Sequence, residues 1–141
     1  MKTKPDFHAD CVTCKVRDKS MFCRLHKTEL LQFDGSKSCY FFRKGEVIFH
    51  ENGHPRGVFC ISSGKIKVSH TGYDGKEQIV RMAKEGDLLG YRAFLSNQQY
   101  NGTATALTDV EICFIPGEVF FEVLRGNNNF SLQMMHLLSS E

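Results

Sequence analysis

The strongest constraint on the fold is a series of short strand-like segments, separated by turn residues, across the middle of the chain. At residues 65–69 polar and apolar side chains alternate, as in a strand with one face in water. Asp74 and Gly75 then form a dipeptide that is typical of hairpin turns, and residues 78–82 follow it. Similar segments lie at 47–50, 57–61, 103–106 and 110–115. Short strands at near-regular spacing predict an antiparallel β-roll or jelly roll.

The two ends of the chain differ in pattern from the middle. Residues 1–30 are polar and cysteine-rich, residues 31–125 contain the strand-like segments, and residues 126–141 have a helical period. Pro116 suits the first turn of a helix, and residues 127–129 suit the cap of a second one. We therefore predict a mainly β fold with flanking helices, in three parts: a cysteine-rich segment, a roll, and the start of a long helix.

Composition excludes several classes of protein. The chain has 141 residues, of which 41% are hydrophobic and 24% charged, so it can bury a core and is not disordered. A net charge of +2 creates no basic field for nucleic acid. No apolar run approaches the roughly 18 residues of a membrane span, and the first residues lack the apolar stretch of a signal peptide. We expect a cytoplasmic protein with reduced thiols and no membrane partner.

The cysteines are the most distinctive candidates for chemistry. The chain has six, too few and too unevenly spaced for a disulfide scaffold. Three of them, Cys11, Cys14 and Cys23, lie close together near the start, and thiolates of this kind hold zinc or iron–sulfur clusters. Cysteines in apolar strands, such as Cys60 and Cys113, are equally well explained by packing. A compact zinc site is a further alternative, with ligands His8, Cys11, Cys14 and Cys23.

The sequence does not predict an enzyme. His50, His54 and His70 are dispersed and form no His-x-His pair, which metal-dependent cupins require. No phosphate-cradling glycine loop or nucleophile elbow occurs either. The classes that remain are a sensor and a protein-interaction module.

Three glycine-containing segments resemble successive corners of the cyclic-nucleotide-binding β-roll, at residues 45–49, 64–68 and 86–91. With the amino-terminal cysteines and residues 110–116 and 133–139, they make almost the whole chain similar, in order, to the CRP/FNR transcription regulators, nearest the FNR-type oxygen sensors. The resemblance implies a sensor domain, a dimerisation helix that begins near Asn127 and a homodimer. It also implies a DNA-binding helix-turn-helix, whose pattern these residues lack, so we expect DNA binding only through a domain absent from this chain.

The resemblance also allows the nucleotide site to be compared residue by residue. Relatives that bind cyclic AMP use a glutamate for the ribose hydroxyl and an arginine for the phosphate, because a buried phosphate needs a charged partner. Here the glutamate position is Tyr91 and the arginine position is Gly102, while Arg92 lies beside the ribose site. The nucleotide cassette is therefore degenerate, and we expect it not to bind a cyclic nucleotide.

FNR-type oxygen sensors hold a [4Fe–4S] cluster on three cysteines of an amino-terminal loop and one on the strand before an Ile-Pro step. The resemblance carries these ligands onto Cys11, Cys14, Cys23 and Cys113, although the gap between Cys14 and Cys23 is longer than in the best-known oxygen sensor. The implied function is oxygen or redox sensing through this four-cysteine cluster. The alternative is a metal-free or zinc-bearing regulatory module that acts through dimerisation and protein interaction.

In the second predicted helix, four apolar side chains share one face: Phe130, Met134, Leu137 and Leu138. We expect this stripe to form the dimer seam. The alternative is that it folds back onto the roll, because a surface helix must bury one face.

Overall fold

The computed structural model describes residues 38–140, which form a roll of two antiparallel sheets with three helices. The strands are β1 (Ser38–Phe42), β2 (Val47–Phe49), β3 (Gly57–Ser63), β4 (Lys65–Thr71), β5 (Glu77–Lys84), β6 (Leu88–Leu89), β7 (Thr103–Ala106) and β8 (Val110–Pro116). The helices are α1 (Tyr91–Leu95), α2 (Gly117–Gly126) and α3 (Asn128–Ser139). The predicted fold class is confirmed. The division at residues 30 and 125 stays a prediction, since the cysteine-rich segment lies outside the described residues.

The eight strands are shared equally between the two sheets. The first sheet has the order β1-β8-β3-β6 and the second the order β2-β7-β4-β5. The predicted Asp-Gly turn joins β4 to β5, and Gly75 adopts the positive φ of 77° that such turns require. The strand with the clearest alternation, β4, buries Ile66 and Val68 and leaves its first lysine in water, as its pattern predicts.

Alternation along the first sheet produces two cores. Phe59 and Ile61 of β3 face the inside of the roll, whereas Val58 and Cys60 of the same strand face the helices. The roll core comprises Phe42, Ile48, Phe59, Ile61, Ile66, Val68, Ala83, Leu89, Ala104, Ala106, Val110 and Ile112. The helix core comprises Val58, Cys60, Leu88, Tyr91, Ile115, Phe120, Val123, Phe130 and Met134. The first sheet lies between these cores: β3, β6 and β8 contribute side chains to both, and β1 contributes Phe42 to the roll core.

The helical layer continues directly from β8. Pro116 ends that strand and is the N-cap of α2, one residue before the first turn in which it was predicted. Asn127 caps α3, because its side-chain oxygen accepts a hydrogen bond of 2.9 Å from the Phe130 backbone N–H. A cap of this kind is worth about 1 kcal/mol. No helix within residues 38–140 has the length and apolar character that crossing a membrane requires.

Candidate functional site

Three cysteines lie side by side on adjacent strands of the first sheet. Cys39 of β1 is directly opposite Cys113 of β8, and Cys113 is directly opposite Cys60 of β3. Directly opposite residues of antiparallel strands place their side chains on the same face. We call these three residues the thiol row. The row faces away from the roll core, on the side where Ile115 packs under the helices.

Within the thiol row, two sulfurs are in contact. The Sγ atoms of Cys39 and Cys113 are 3.4 Å apart, and the Ser62 Oγ lies 3.6 Å from the Cys113 Sγ. All three cysteines are buried, and none takes part in a disulfide. Cys60 belongs to the helix core, whereas Cys39 and Cys113 belong to neither core. The Cys39–Cys113 pair is therefore a buried contact between two thiols that lies outside the two hydrophobic clusters.

Only one of the four predicted cluster ligands lies in the part of the chain that the structure describes. That ligand is Cys113, which the sheet holds rigidly between two neighbouring strands. Cys11, Cys14 and Cys23 lie outside the described residues, as does His8 of the alternative zinc site. Within residues 38–140, no group of three His, Cys, Asp or Glu side chains is arranged to hold a metal ion. The four-cysteine set stays a prediction.

A cavity of about 520 Å³ opens beside α1, at the place where the degenerate cassette lies. Its lining includes Phe49, whose ring stacks on that of Tyr100 with the centroids 3.8 Å apart. Burial raises the pKa of Tyr100 to about 12, so its phenol stays neutral and remains a hydrogen-bond donor. One wall of the cavity is thus an aromatic pair rather than a charged group.

Neither Tyr91 nor Gly102 supplies the charged side chain that contacts the nucleotide in relatives that bind cyclic AMP. Tyr91 is fully buried in the helix core, and the Arg81 guanidinium lies 5.4 Å from the centroid of its ring. A Cβ at Gly102 would lie 2.8 Å from the Val68 Cγ1 and 3.0 Å from the Ser69 carbonyl oxygen. A side chain at Gly102 therefore requires the second sheet to move.

Two arginines line the cavity, and both donate hydrogen bonds to backbone carbonyls. The Arg81 guanidinium donates to the Leu88 carbonyl oxygen at 3.0 Å. Arg92 donates to the Leu138 carbonyl oxygen at 3.3 Å, which ties α1 to the last turn of α3. The positive charges near the cassette thus have a structural role in addition to any contact with a ligand.

The predicted dimer seam needs correction at two of its four positions. Phe130 and Met134 are 0% and 2% exposed, because they pack in the helix core of their own chain. Leu137 and Leu138 are half-buried against that same core. The alternative stated above, in which the stripe folds back onto the roll, describes the burial of Phe130 and Met134. The exposed apolar side chains of α3 are instead Leu132 and Met135.

The sequence did not identify Cys39 as part of the site. It lies in β1, a strand whose mostly apolar residues do not alternate, and no partner could be assigned to it. In the sequence, Cys39 is followed directly by three aromatic residues, and this does not show which strand lies opposite it. The register of β1 against β8 reveals the pair.

Comparison with known proteins agrees with this architecture. The family model of the cyclic nucleotide-binding domain matches residues 40–127. The regulatory protein HlyX of Actinobacillus pleuropneumoniae is 30% identical over 132 residues, which cover 93% of this chain and 55% of that protein. The fumarate and nitrate reduction regulatory protein of Yersinia pestis is also 30% identical, with 93% and 52% covered. The chain spans about half the length of these curated relatives.

Solved structures share the fold at lower sequence identity. The sensor domain of the transcriptional regulator DNR from Pseudomonas aeruginosa aligns with a TM-score of 0.81 and 19% identity, covering 92% of this chain and 87% of that one. The catabolite activator protein of Thermus thermophilus aligns with a TM-score of 0.75 and 21% identity, covering 85% and 56%. These structures establish the roll and its helices, and nothing about a ligand.

Proposed function

The chain belongs to the cyclic nucleotide-binding domain family, and from this premise we propose that it is the sensor domain of a CRP/FNR-type transcription regulator that detects oxygen or redox state. The ligand set would be an iron–sulfur cluster on Cys11, Cys14, Cys23 and Cys113. Relatives at 30% and 28% identity bear the names fumarate and nitrate reduction regulatory protein and anaerobic regulatory protein, which supports a role in the response to oxygen. The role is regulatory rather than catalytic.

The position of Cys113 is the observation that carries this proposal. Its sulfur lies outside both apolar cores, next to a second thiol and a hydroxyl, although its strand neighbours Ile112 and Ile115 belong to those cores. A cysteine retained only for packing is expected to contact apolar side chains, as Cys60 does. We therefore take Cys113, rather than Cys60, as the proposed ligand on the sheet.

The chemistry of the residues fits an iron–sulfur cluster. Thiolates are soft ligands, and four of them satisfy a [4Fe–4S] cluster, which supplies an oxygen-sensitive inorganic centre when bound. Cys113 would anchor the group to the rigid sheet, and three cysteines of residues 1–30 would complete the set. The Ser62 hydroxyl is placed to hydrogen-bond the Cys113 sulfur, the kind of contact that tunes cluster potentials.

The fold also connects Cys113 with the helices through which such a regulator would signal. β8 continues through Pro116 into α2, and α2 is followed directly by α3. In the proposed mechanism, a change at Cys113 alters how β8 and these helices pack and so shifts a monomer–dimer balance. DNA would be bound by a helix-turn-helix domain outside this chain, in a homodimer located in the cytoplasm.

The test is to purify the chain without oxygen and to measure its visible spectrum, iron and acid-labile sulfide. We expect a brown, air-sensitive protein whose iron and colour are lost in Cys113→Ser. Cys60→Ser is the matched control, since it changes an equally buried thiol in the same row. Equal colour in the two variants would contradict the assignment. Zinc that is retained by Cys113→Ser would instead support the amino-terminal site, and absence of metal would support the interaction module.

The degenerate cassette leads to a second expectation, that cyclic AMP does not bind. The buried ring of Tyr91 and the closed space around Gly102 support it, because neither can pair with a ribose hydroxyl or a phosphate. Isothermal titration of the chain with cyclic AMP should give no saturable heat. Binding in the micromolar range would show that Arg81 or Arg92 has replaced the missing anchor.

A further inference from the structure

The contact between Cys39 and Cys113 is not used by the proposed cluster, which takes only the second of these sulfurs. The two residues are directly opposite each other on neighbouring antiparallel strands, and their sulfurs are 3.4 Å apart without a bond. Such a pair has its Cα atoms about 4.5 to 5.5 Å apart. Disulfides span Cα separations of about 4.4 to 6.8 Å, so the backbone is already within range.

We propose that Cys39 and Cys113 form a reversible dithiol–disulfide couple, a modification site built across β1 and β8. Closing the bond brings the sulfurs from 3.4 Å to about 2.05 Å, a shift that side-chain rotation can supply. No strand has to leave its register. The couple depends only on the geometry of the described sheet and not on any metal.

The chemistry is balanced with hydrogen peroxide as the oxidant. One thiol sulfur attacks the peroxide and becomes a sulfenic acid, and the first water leaves. The second sulfur then attacks the sulfenic sulfur, the S–S bond forms, and the displaced hydroxide takes up the remaining proton as a second water. Two thiols lose two electrons and the peroxide gains them. A dithiol reductant reverses the change by thiol–disulfide exchange.

The structure favours Cys39 over Cys60 as the partner of Cys113. Both neighbours are in register with it, and the Cys39 and Cys113 sulfurs lie 3.4 Å apart. Cys60 packs among apolar side chains of the helix core, which disfavours the polar sulfenic intermediate. Cys39 and Cys113 are 6% and 5% exposed. A small peroxide should therefore react slowly with them, and the adjacent thiol should intercept the sulfenic acid before further oxidation.

The regulatory consequence rests on the proposed function. A Cys113 sulfur in a disulfide cannot ligate iron, so oxidation of the pair would block reloading of the cluster until a reductant restores the thiols. After loss of the cluster, the Cys39–Cys113 disulfide would hold the domain in its metal-free state. The domain would respond to peroxide as well as to oxygen, with slower recovery after peroxide.

Tryptic peptides allow the pair to be mapped without ambiguity, because each cysteine of the thiol row lies on a separate fragment. Cleavage after Lys37, Arg56 and Arg92 yields fragments 38–43, 57–65 and 93–125, with one of these cysteines in each. The full chain is stripped of metal, reduced and treated with hydrogen peroxide. Remaining thiols are then alkylated before digestion without reductant and mass spectrometry.

The expected result is a crosslinked species of fragments 38–43 and 93–125 that disappears on reduction. It should be lost in Cys39→Ser and retained in Cys60→Ser, whose buried thiol is the matched control. Circular dichroism confirms that each variant is folded, and Cys39→Ala provides a second substitution if serine is not tolerated. Alkylated Cys113 after full peroxide treatment, or its crosslink to fragment 57–65, would overturn the proposal.

A second arm separates this proposal from the proposed function. Oxidised wild type and Cys39→Ser are each offered iron and sulfide without oxygen, before and after a dithiol reductant. We expect the reductant to increase cluster uptake by the oxidised wild type more than it increases uptake by Cys39→Ser. If neither protein takes up a cluster in any condition, the proposed function fails, while the peptide map still decides whether the Cys39–Cys113 couple exists.

Discussion

The two sheets of the roll differ in how they are covered, and the difference indicates where chemistry can be placed. The first sheet is covered on one face by the roll core, and on the other face the helices cover β3, β6 and the Ile115 end of β8. The second sheet contributes to the roll core alone, and its edge strand β5 is mostly exposed. Side chains of β3, β6 and β8 therefore pack on both faces of this sheet. The register of β1, β8 and β3 places the three buried cysteines of the thiol row side by side.

The same comparison explains why the ligand site of the family differs in this chain. The degenerate cassette borders the second sheet, where Gly102 lies against Val68 and the Ser69 carbonyl. A Cβ at this position would already lie 2.8 Å from the Val68 Cγ1 and 3.0 Å from the Ser69 carbonyl oxygen. The thiol row lies on the first sheet. Among the described residues, all the cysteines thus lie on the first sheet, and the second sheet fills the space around Gly102.

The largest effect is expected where the helices cover the first sheet. Phe130→Ala should lower the free energy of unfolding by about 3 to 5 kcal/mol, because it empties the centre of the helix core. Leu132→Ala on the same helix is the control, and at 61% exposure it should change stability by less than about 0.5 kcal/mol. Denaturant unfolding measures both. Equal, concentration-dependent losses would indicate that α3 is stabilised by a second copy and that the intramolecular assignment is wrong.

The next effect tests the packing of the second sheet. Gly102→Ala should cost about 1 to 3 kcal/mol, because the new Cβ meets the Val68 side chain and a backbone oxygen. Gly126→Ala is the matched control, since a Cβ there meets nothing within 4 Å. That control should be neutral or should stabilise by up to about 1 kcal/mol. A tolerated alanine at Gly102 would mean that the second sheet yields and that the cassette could accept a larger side chain.

The sequence predicted the parts of this comparison that depend on local pattern. Alternation in β4 and the turn at Asp74 and Gly75 identified the roll. The cap of α3 was predicted at residues 127–129, because a cap side chain acts on residues three positions away, and the structure identifies it as Asn127. The register between strands that are distant in the sequence has no local sequence pattern from which it could be predicted. Only the structure shows that Cys39 lies opposite Cys113 and that a Cβ at Gly102 would contact Val68 and Ser69.

The same limit explains the error on the dimer seam. Spacing at i and i+4 shows that Phe130 and Met134 share a face, and it does not show what covers that face. A helix that packs on its own roll and a helix that pairs with a copy have the same periodicity. The structure resolves the question for these two residues in favour of the roll.

A smaller effect should appear at high pH, at the edge of the cavity. Burial raises the pKa of Tyr100 to about 12, above the value near 10 of an unfolded tyrosine. The unfolded chain therefore loses this proton first, so the contribution to stability is complete below pH 10 and is lost as pH rises from about 10 to 12. Phenolate absorbance should include a late-titrating component from Tyr100, and Tyr100→Phe should remove that component. Simultaneous titration of all four tyrosines would contradict the burial of Tyr100 beside the cavity.

The smallest effect is expected on the exposed surface of the second sheet. The Lys67 Nζ donates a hydrogen bond of 2.8 Å to Glu77, which lowers the pKa of that carboxyl, while both side chains remain partly in water. A lowered pKa means that the pair stabilises the fold above the ordinary glutamate value, and that this contribution disappears as pH falls through the lowered pKa. Solvent and salt screen such a pair, so Lys67→Met should barely change stability at neutral pH. NMR titration should show the Glu77 pKa return to its ordinary range in that variant. A large loss of stability there would mean that β5 is held to the second sheet mainly by charge, whereas β3, β6 and β8 of the first sheet are held by packing on both faces.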